Sequence, residues 1–203
     1  YDDVKKTITC VRDAFGIKPL YYKKDHNNFY FSSQINAMTE LIGEKLSVNT
    51  TTSLEYLIHS QYDHSENTFY KDVFQLQPGE ILIYDIKDRD IVTRSKWWNP
   101  SVEENDSITY DEATEKFRYL FLNNLKLNLR SDVKVAAALS GGIDSSSIVC
   151  GMRYLEPELP IHTFSYIAKN SSLNEEKWID LINDKTNSIP HKVYASLDEI
   201  SID

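Results

Sequence analysis

The run Val133-Lys134-Val135-Ala136-Ala137-Ala138-Leu139 leads directly into Ser140-Gly141-Gly142-Ile143-Asp144-Ser145-Ser146-Ser147, and no other stretch constrains the chain so tightly. Small apolar residues in a nearly continuous series suit a β-strand buried on both faces. The two glycines permit an abrupt turn, and the serines and aspartate after them are favoured where helices begin. The alternation then repeats. Ser145 to Leu155 is expected to be a helix, Ile161 to Ala168 a strand, Asn174 to Lys185 a helix and His191 to Ala195 a strand. That β-α-β-α-β order implies a parallel sheet with right-handed crossovers. Three strands make an incomplete sheet, so the domain is expected to continue beyond Asp203.

Upstream the pattern is different. Thr7 to Val11 alternates, and Leu20-Tyr21-Tyr22 and Phe29-Tyr30-Phe31 are aromatic strand candidates. Asp25-His26-Asn27-Asn28 reads as the hairpin turn between the latter two, and Phe15 to Pro19 as an earlier tight connection. A short helix with Leu54, Leu57 and Ile58 on one face follows, with Thr52 or Ser53 as its cap. Pro78-Gly79 turns into a strand from Ile81 to Ile86. From Asn99 to Ser107 the composition shifts to that of a linker. Thr109 with Glu112 then forms a capping-box pattern, opening a helix with Ala113, Phe117, Leu120 and Phe121 on one side.

Charge and cysteine usage narrow the function classes. A formal net charge of -9 over 203 residues argues against a general nucleic-acid binder. No apolar run approaches the ~20 residues that span a bilayer, and no secretion signal opens the chain. Cys10 and Cys150 belong to no paired metal or redox motif. Both are expected to be buried thiols in a reducing cytoplasm.

The loop after the first parallel strand carries the chemistry. In open α/β sheets ligands bind at the carboxyl ends of the strands. Glycines let the backbone approach an anion, and the free amides of the following helix add partial positive charge. Hydroxyls of Ser140, Ser145 and Ser146 are candidate additional donors. No Gly-Lys-Ser/Thr follows, so this is not a Walker loop. An acid, Asp144, stands there instead. Beside phosphates a carboxylate needs a cation between, which makes Asp144 a candidate magnesium ligand. Ser-Gly-Gly alone is a common turn; the strand before it and the helix after it favour the phosphate reading.

Ser-Gly-Gly-Ile-Asp-Ser-Ser resembles the loop of the ATP pyrophosphatases (PP-loop enzymes), which split ATP between the α and β phosphates. The flanks choose within that group. Arg130-Ser131-Asp132-Val133 and Ile161-His162-Thr163-Phe164-Ser165 resemble the asparagine synthetase version. Val11-Arg12-Asp13-Ala14-Phe15-Gly16-Ile17-Lys18-Pro19-Leu20-Tyr21-Tyr22 resembles a segment of that family's glutaminase domain. So do Phe31 to Ala37, Leu76-Gln77-Pro78-Gly79-Glu80 and Trp97-Trp98. Gln34, where the family usually has glutamate, and Ala14, where it often has arginine, depart from the pattern. The likeness covers nearly the whole chain, which is similar to an internal piece of a glutamine-hydrolysing asparagine synthetase.

The resemblance implies an α+β region followed by an α/β region. Residues 1–100 would be the later part of a β-rich, N-terminal-nucleophile (Ntn) type glutaminase-like domain. Residues 101–203 would be the start of a parallel-sheet ATP-pyrophosphatase domain of the adenine nucleotide α-hydrolase-like kind. It implies ATP and Mg2+ as cofactors, with Leu139 contacting ATP through its backbone. Ser140, Gly141, Gly142, Asp144, Ser145 and Ser146 would hold pyrophosphate, with Asp144 on the metal. Tyr166 either touches the adenine through its backbone or is an ordinary strand aromatic. Glu175 and Glu176 read as acids favoured at a helix start. No catalytic residue is expected in the chain, because the family's glutaminase cysteine would precede Tyr1. Implied partners are aspartate, glutamine or ammonia, with no nucleic acid or membrane, and a homodimer of the full-length parent. The implied function is ATP-dependent asparagine formation in the cytoplasm. Alternatives are a related β-lactam or lasso-peptide type cyclase acting on another carboxylate, or a non-catalytic remnant.

Overall fold

A computed structural model describes residues 1–104, 107–168 and 174–194. They fall into two compact units, Tyr1–Glu103 and Glu104–Asp203. The first contains β1 (Thr7–Val11), β2 (Tyr21–Lys24), β3 (Phe29–Ser32), α1 (Ile35–Ile42), α2 (Thr50–His59), β4 (Phe74–Gln75), β5 (Glu80–Asp85) and β6 (Asp90–Lys96). These strands form two small antiparallel sheets, ordered β1-β5-β6 and β3-β2-β4. Cys10, Leu82 and Tyr84 from one sheet share a core with Tyr22 of the other and with Leu76. Phe29 stacks on Tyr84 with centroids 4.4 Å apart, joining the two layers.

Local chemistry explains the turns. The Asp25 amide donates to the Asn28 carbonyl at 3.0 Å. Its carboxylate accepts from the amides of Asn27 and Asn28 at 2.8 and 2.7 Å, closing the expected β2–β3 hairpin. The cap of α2 is corrected. Asn49, not Thr52 or Ser53, caps the helix by accepting from the Thr52 amide at 3.4 Å. Asparagine outranks threonine at that position, and the threonines extend the first turn instead. The Leu54, Leu57 and Ile58 face is exposed, while Thr52 is buried. Spacing defines such a face but not what covers it.

The second unit contains α3 (Tyr110–Asn128), β7 (Ala136–Ala138), α4 (Ile143–Leu155), β8 (His162–Ile167), α5 (Glu176–Thr186) and β9 (Ile189–Tyr194). The chain is thus mixed α/β with small sheets, and this one is parallel with order β7-β8-β9. Ala195, the expected end of the last strand, lies outside the described residues, as do Asn105 and Asp106 of the expected linker. The capping box at α3 is formed. The Thr109 hydroxyl accepts from the Glu112 amide at 3.3 Å, and the Glu112 carboxylate accepts from the Thr109 amide at 2.9 Å.

Two expectations fail on burial. Of the face assigned to α3, Phe117 is 70% exposed and Leu120 is exposed too. Leu125 and Phe121 instead meet Gly151 of α4, where a Cβ would lie 2.7 Å from Leu125 Cδ2. The packing stripe is therefore rotated toward Leu122, Leu125 and Leu129, whose i, i+3, i+7 spacing also marks a helix face. Second, the Val133–Leu139 strand shrinks to Ala136–Ala138 and is buried on one face only. Ala137 and Leu139 pack with Val149 and Met152 of α4 and Ile179 of α5, so both helices cover the same side. Sequential strand order with right-handed crossovers dictates that. On the other side Phe164 and Tyr166 are exposed.

Lys192 of β9 donates to Glu176 at 2.8 Å and pairs with Asp180 at 2.6 Å, tying the strand to α5. Cys10 is buried, and burial pushes its thiol up. Cys150 is exposed, against expectation, because it lies on a face of α4 that is not covered. Among the described residues no helix is long and apolar enough to cross a membrane.

Candidate functional site

The backbone leaves the sheet at Leu139, whose amide still donates to the Phe164 carbonyl at 2.9 Å. Two residues later Gly141 adopts φ +90°, a conformation side chains resist. A Cβ there would stand 3.1 Å from the Glu175 carbonyl oxygen and 3.2 Å from Cβ of both Glu175 and Trp178. The loop therefore lies directly against the first turn of α5, and only glycine fits the contact.

Hydroxyls brace the turn. The Ser145 Oγ accepts from the Ser140 amide at 3.1 Å and donates to the Gly142 carbonyl at 3.3 Å. Ser140 Oγ lies 3.0 Å from Ser145 Oγ and accepts from the Gly142 amide at 3.3 Å. With the Ser145 proton directed to Gly142, the Ser140 proton goes to Ser145. Both protons are spent inside the loop. The two hydroxyls hold its shape instead of serving as free donors.

The amides are arranged differently. Helix α4 begins after Gly142, and its opening N–H groups have no intrahelical acceptor. Among the described residues no protein oxygen accepts from the amides of Gly141, Ile143, Asp144 or Ser145. Four donors at the positive end of a helix suit a multiply charged anion.

Beside the loop is an open cleft of about 450 Å³, lined by Ala138, Leu139, Ser140, Phe164, Tyr166, Ala168 and Glu175. It brings Leu139 and Ser140 together with Tyr166, which is remote from them in sequence. Asp144 is not part of it. It is exposed and lines a separate groove of about 480 Å³ with Phe117, Arg118, Phe121, Ile143 and Ile148. Among the described residues no cluster of three His, Cys, Asp or Glu could cage a metal. Magnesium asks for less: one or two carboxylates, several waters and the substrate's phosphates. A lone Asp144 in the first turn of α4, among these unpaired amides, fits that donor set.

Sequence reasoning paired Glu175 with Glu176, and the structure separates them. The Glu176 carboxylate accepts from Lys192 Nζ and from the Tyr194 hydroxyl at 3.1 Å. The Lys192 hydrogen bond, first among its causes, holds it below the usual carboxylate range. Glu175 lines the cleft. Trp178, against which Gly141 packs, was not foreseen. No local pattern marks it, since the contact joins segments remote in sequence.

Comparison with known proteins gives two family matches. The profile described as a glutamine amidotransferase domain matches residues 1–98, and that described as asparagine synthase matches residues 116–201. A provisionally named glutamine-hydrolysing asparagine synthetase of Methanocaldococcus jannaschii is 32% identical over 96% of this chain and 37% of its own length. A glutamine-hydrolysing asparagine synthetase of Bacillus subtilis is 28% identical over 81% of this chain and 27% of its own. An amidase of Gibberella zeae is 30% identical over 73% of this chain and 22% of its own. The chain thus spans well under half the length of each.

Proposed function

The chain belongs to the glutamine-hydrolysing asparagine synthetase family, and from that membership we propose that its second unit is the ATP-binding start of an amide-forming ligase. One observation carries the reading: four unpaired amides, of Gly141 and of the first turn of α4, follow directly on Leu139 and Ser140, which line the cleft with Tyr166. Phosphate oxygens match such amides without any lysine. The domain boundary is placed between residues 100 and 101, with the ATP-pyrophosphatase fold following.

In the proposed reaction a side-chain carboxylate oxygen of aspartate attacks the α-phosphorus of ATP, and pyrophosphate leaves. Ammonia then displaces AMP from the acyl-adenylate, giving asparagine. The chemical gain is a good leaving group, AMP, in place of a carboxylate oxygen. The loop amides stabilise charge that accumulates on pyrophosphate as the bond breaks. They do so without reorganising, because the Ser140–Ser145 bracing has already set the turn. Asp144 would hold Mg2+, which supplies charge neutralisation at the phosphates. Since the Leu139 amide is spent on Phe164, its carbonyl is the group left to meet the nucleotide, and a carbonyl suits the adenine amino group. Cys10, buried in a core with its thiol pushed up, takes no part in glutamine cleavage.

In a second reading the same adenylation acts on another carboxylate, because the loop and cleft residues named here meet the nucleotide and not the acceptor. Aspartate-dependent ATP–pyrophosphate exchange in the full-length protein decides. The expected result is exchange that requires aspartate and falls at least tenfold in Asp144→Ala. Exchange indifferent to aspartate supports the other acceptor, and exchange indifferent to Asp144→Ala removes the metal role.

A further inference from the structure

Glu175 and Glu176 are neighbours in sequence with different surroundings. Glu176 is committed to Lys192 and Tyr194. The Glu175 carboxylate has no protein partner among the described residues and lines the cleft with Ser140 and Tyr166. Its main chain is anchored. The Glu175 carbonyl accepts from the amides of Trp178 at 2.9 Å and Ile179 at 3.2 Å. The same residue sits in contact with Gly141, whose added Cβ would lie 3.1 Å from that carbonyl oxygen. An exposed carboxylate on an anchored main chain thus lies where the loop meets the aromatic part of the cleft, Phe164 and Tyr166.

A carboxylate at that point repels phosphate oxygens, and the amino group of the base is already matched by the Leu139 carbonyl. The carboxylate is an acceptor only, so it is matched to a neutral group with two adjacent donors. In a nucleotide the ribose lies between phosphates and base, and its 2′,3′-cis-diol presents two neighbouring O–H groups. Acidic residues take this role toward ribose in other α/β nucleotide sites. We propose that Glu175 accepts hydrogen bonds from the ribose diol of the bound nucleotide and so selects ribonucleotides over deoxyribonucleotides. The inference rests on the nucleotide reading of the loop.

The test is equilibrium binding of ATP, 2′-deoxy-ATP, 3′-deoxy-ATP and inosine triphosphate at fixed magnesium. It uses the whole chain, its Glu175→Ala and Glu175→Gln variants, and Gly141→Ala as the loop control. Losing a hydrogen bond to a charged acceptor corresponds to about tenfold in affinity. The native chain is expected to bind ATP about tenfold more tightly than either deoxynucleotide. Glu175→Ala removes both bonds, so it weakens ATP more than either deoxynucleotide, which has only one to lose, and abolishes the preference between sugars, with Glu175→Gln in between. A native chain that binds all sugars equally overturns the proposal. So does a variant that weakens all nucleotides alike, the mark of a general charge or metal effect. Selectivity lost between ATP and inosine triphosphate, but not between sugars, reassigns the carboxylate to the base and overturns it too. ATP binding that needs Gly141 but ignores the sugar sinks the Glu175 role alone, whereas no ATP binding at all sinks the loop reading with it.

Discussion

At the scale of single residues, chemistry in this chain follows from what a side chain is already bonded to. Ser140 and Ser145 carry hydroxyls that sequence reasoning offered to a phosphate, yet they spend their protons on each other and on Gly142. The donors left over are backbone amides, which no sequence pattern displays directly. The two thiols show the same dependence. Both cysteines sit in apolar surroundings in the sequence, but Cys10 points into a core shared by two sheets and Cys150 points outward. Limited alkylation of the native chain by iodoacetamide is therefore expected to modify Cys150 first, with Cys10 protected until the chain unfolds. Peptide mapping by mass spectrometry reads this directly, and equal labelling of both would contradict the core described around β1. Residue type at the loop was legible because glycine is demanded by φ at Gly141. Glu175 and Glu176 were not separable, because their difference depends on Lys192 and Gly141, both distant in sequence.

Elements were legible where the signal is local and less so where it depends on neighbours. The capping box fixed the start of α3, and the Asp25–Asn28 turn fixed the β2–β3 hairpin. The covered face of α3 was misplaced, because Phe117 and Leu120 are as apolar as Leu122 and Leu125. Only Gly151, which removes a side chain from the opposing helix, decides between them. Strand β6 is mostly polar and exposed, with little alternation to read. Strand β9 is held to α5 by Lys192 between Glu176 and Asp180, and this gives a pH dependence with a defined sign. Glu176 is held below its unfolded value by Lys192, so its contribution is present above about pH 4.3 and is lost as pH falls through the lower folded value. Lys192 is raised, chiefly by Asp180, so its contribution is present below about pH 10.4 and is lost as pH rises through the folded value. Melting temperatures across the acid range should therefore fall less steeply for Glu176→Gln than for the native chain. Parallel acid limbs would show that the Glu176–Lys192 pair contributes nothing to stability.

For the whole molecule, the change of pattern along the chain corresponds to different physical solutions for burying apolar residues. Antiparallel strands joined by tight turns bury one face against a second sheet in Tyr1–Glu103. In Glu104–Asp203 crossover helices lie over one side of a parallel sheet. The family matches at residues 1–98 and 116–201 follow the same division. The parallel order was legible because strand and helix lengths alternate, whereas burial on both faces was inferred from Val133–Leu139 and did not hold. An open face at the carboxyl ends of the strands leaves the cleft accessible beside the loop. The account rests on that loop as a phosphate site, and calorimetric titration of the chain with MgATP, alongside Gly141→Ala, tests it most directly. Saturable binding by the native chain that is lost in a folded Gly141→Ala variant is the predicted result. Binding that survives the substitution unchanged, or a folded native chain that takes up no ATP, would contradict it.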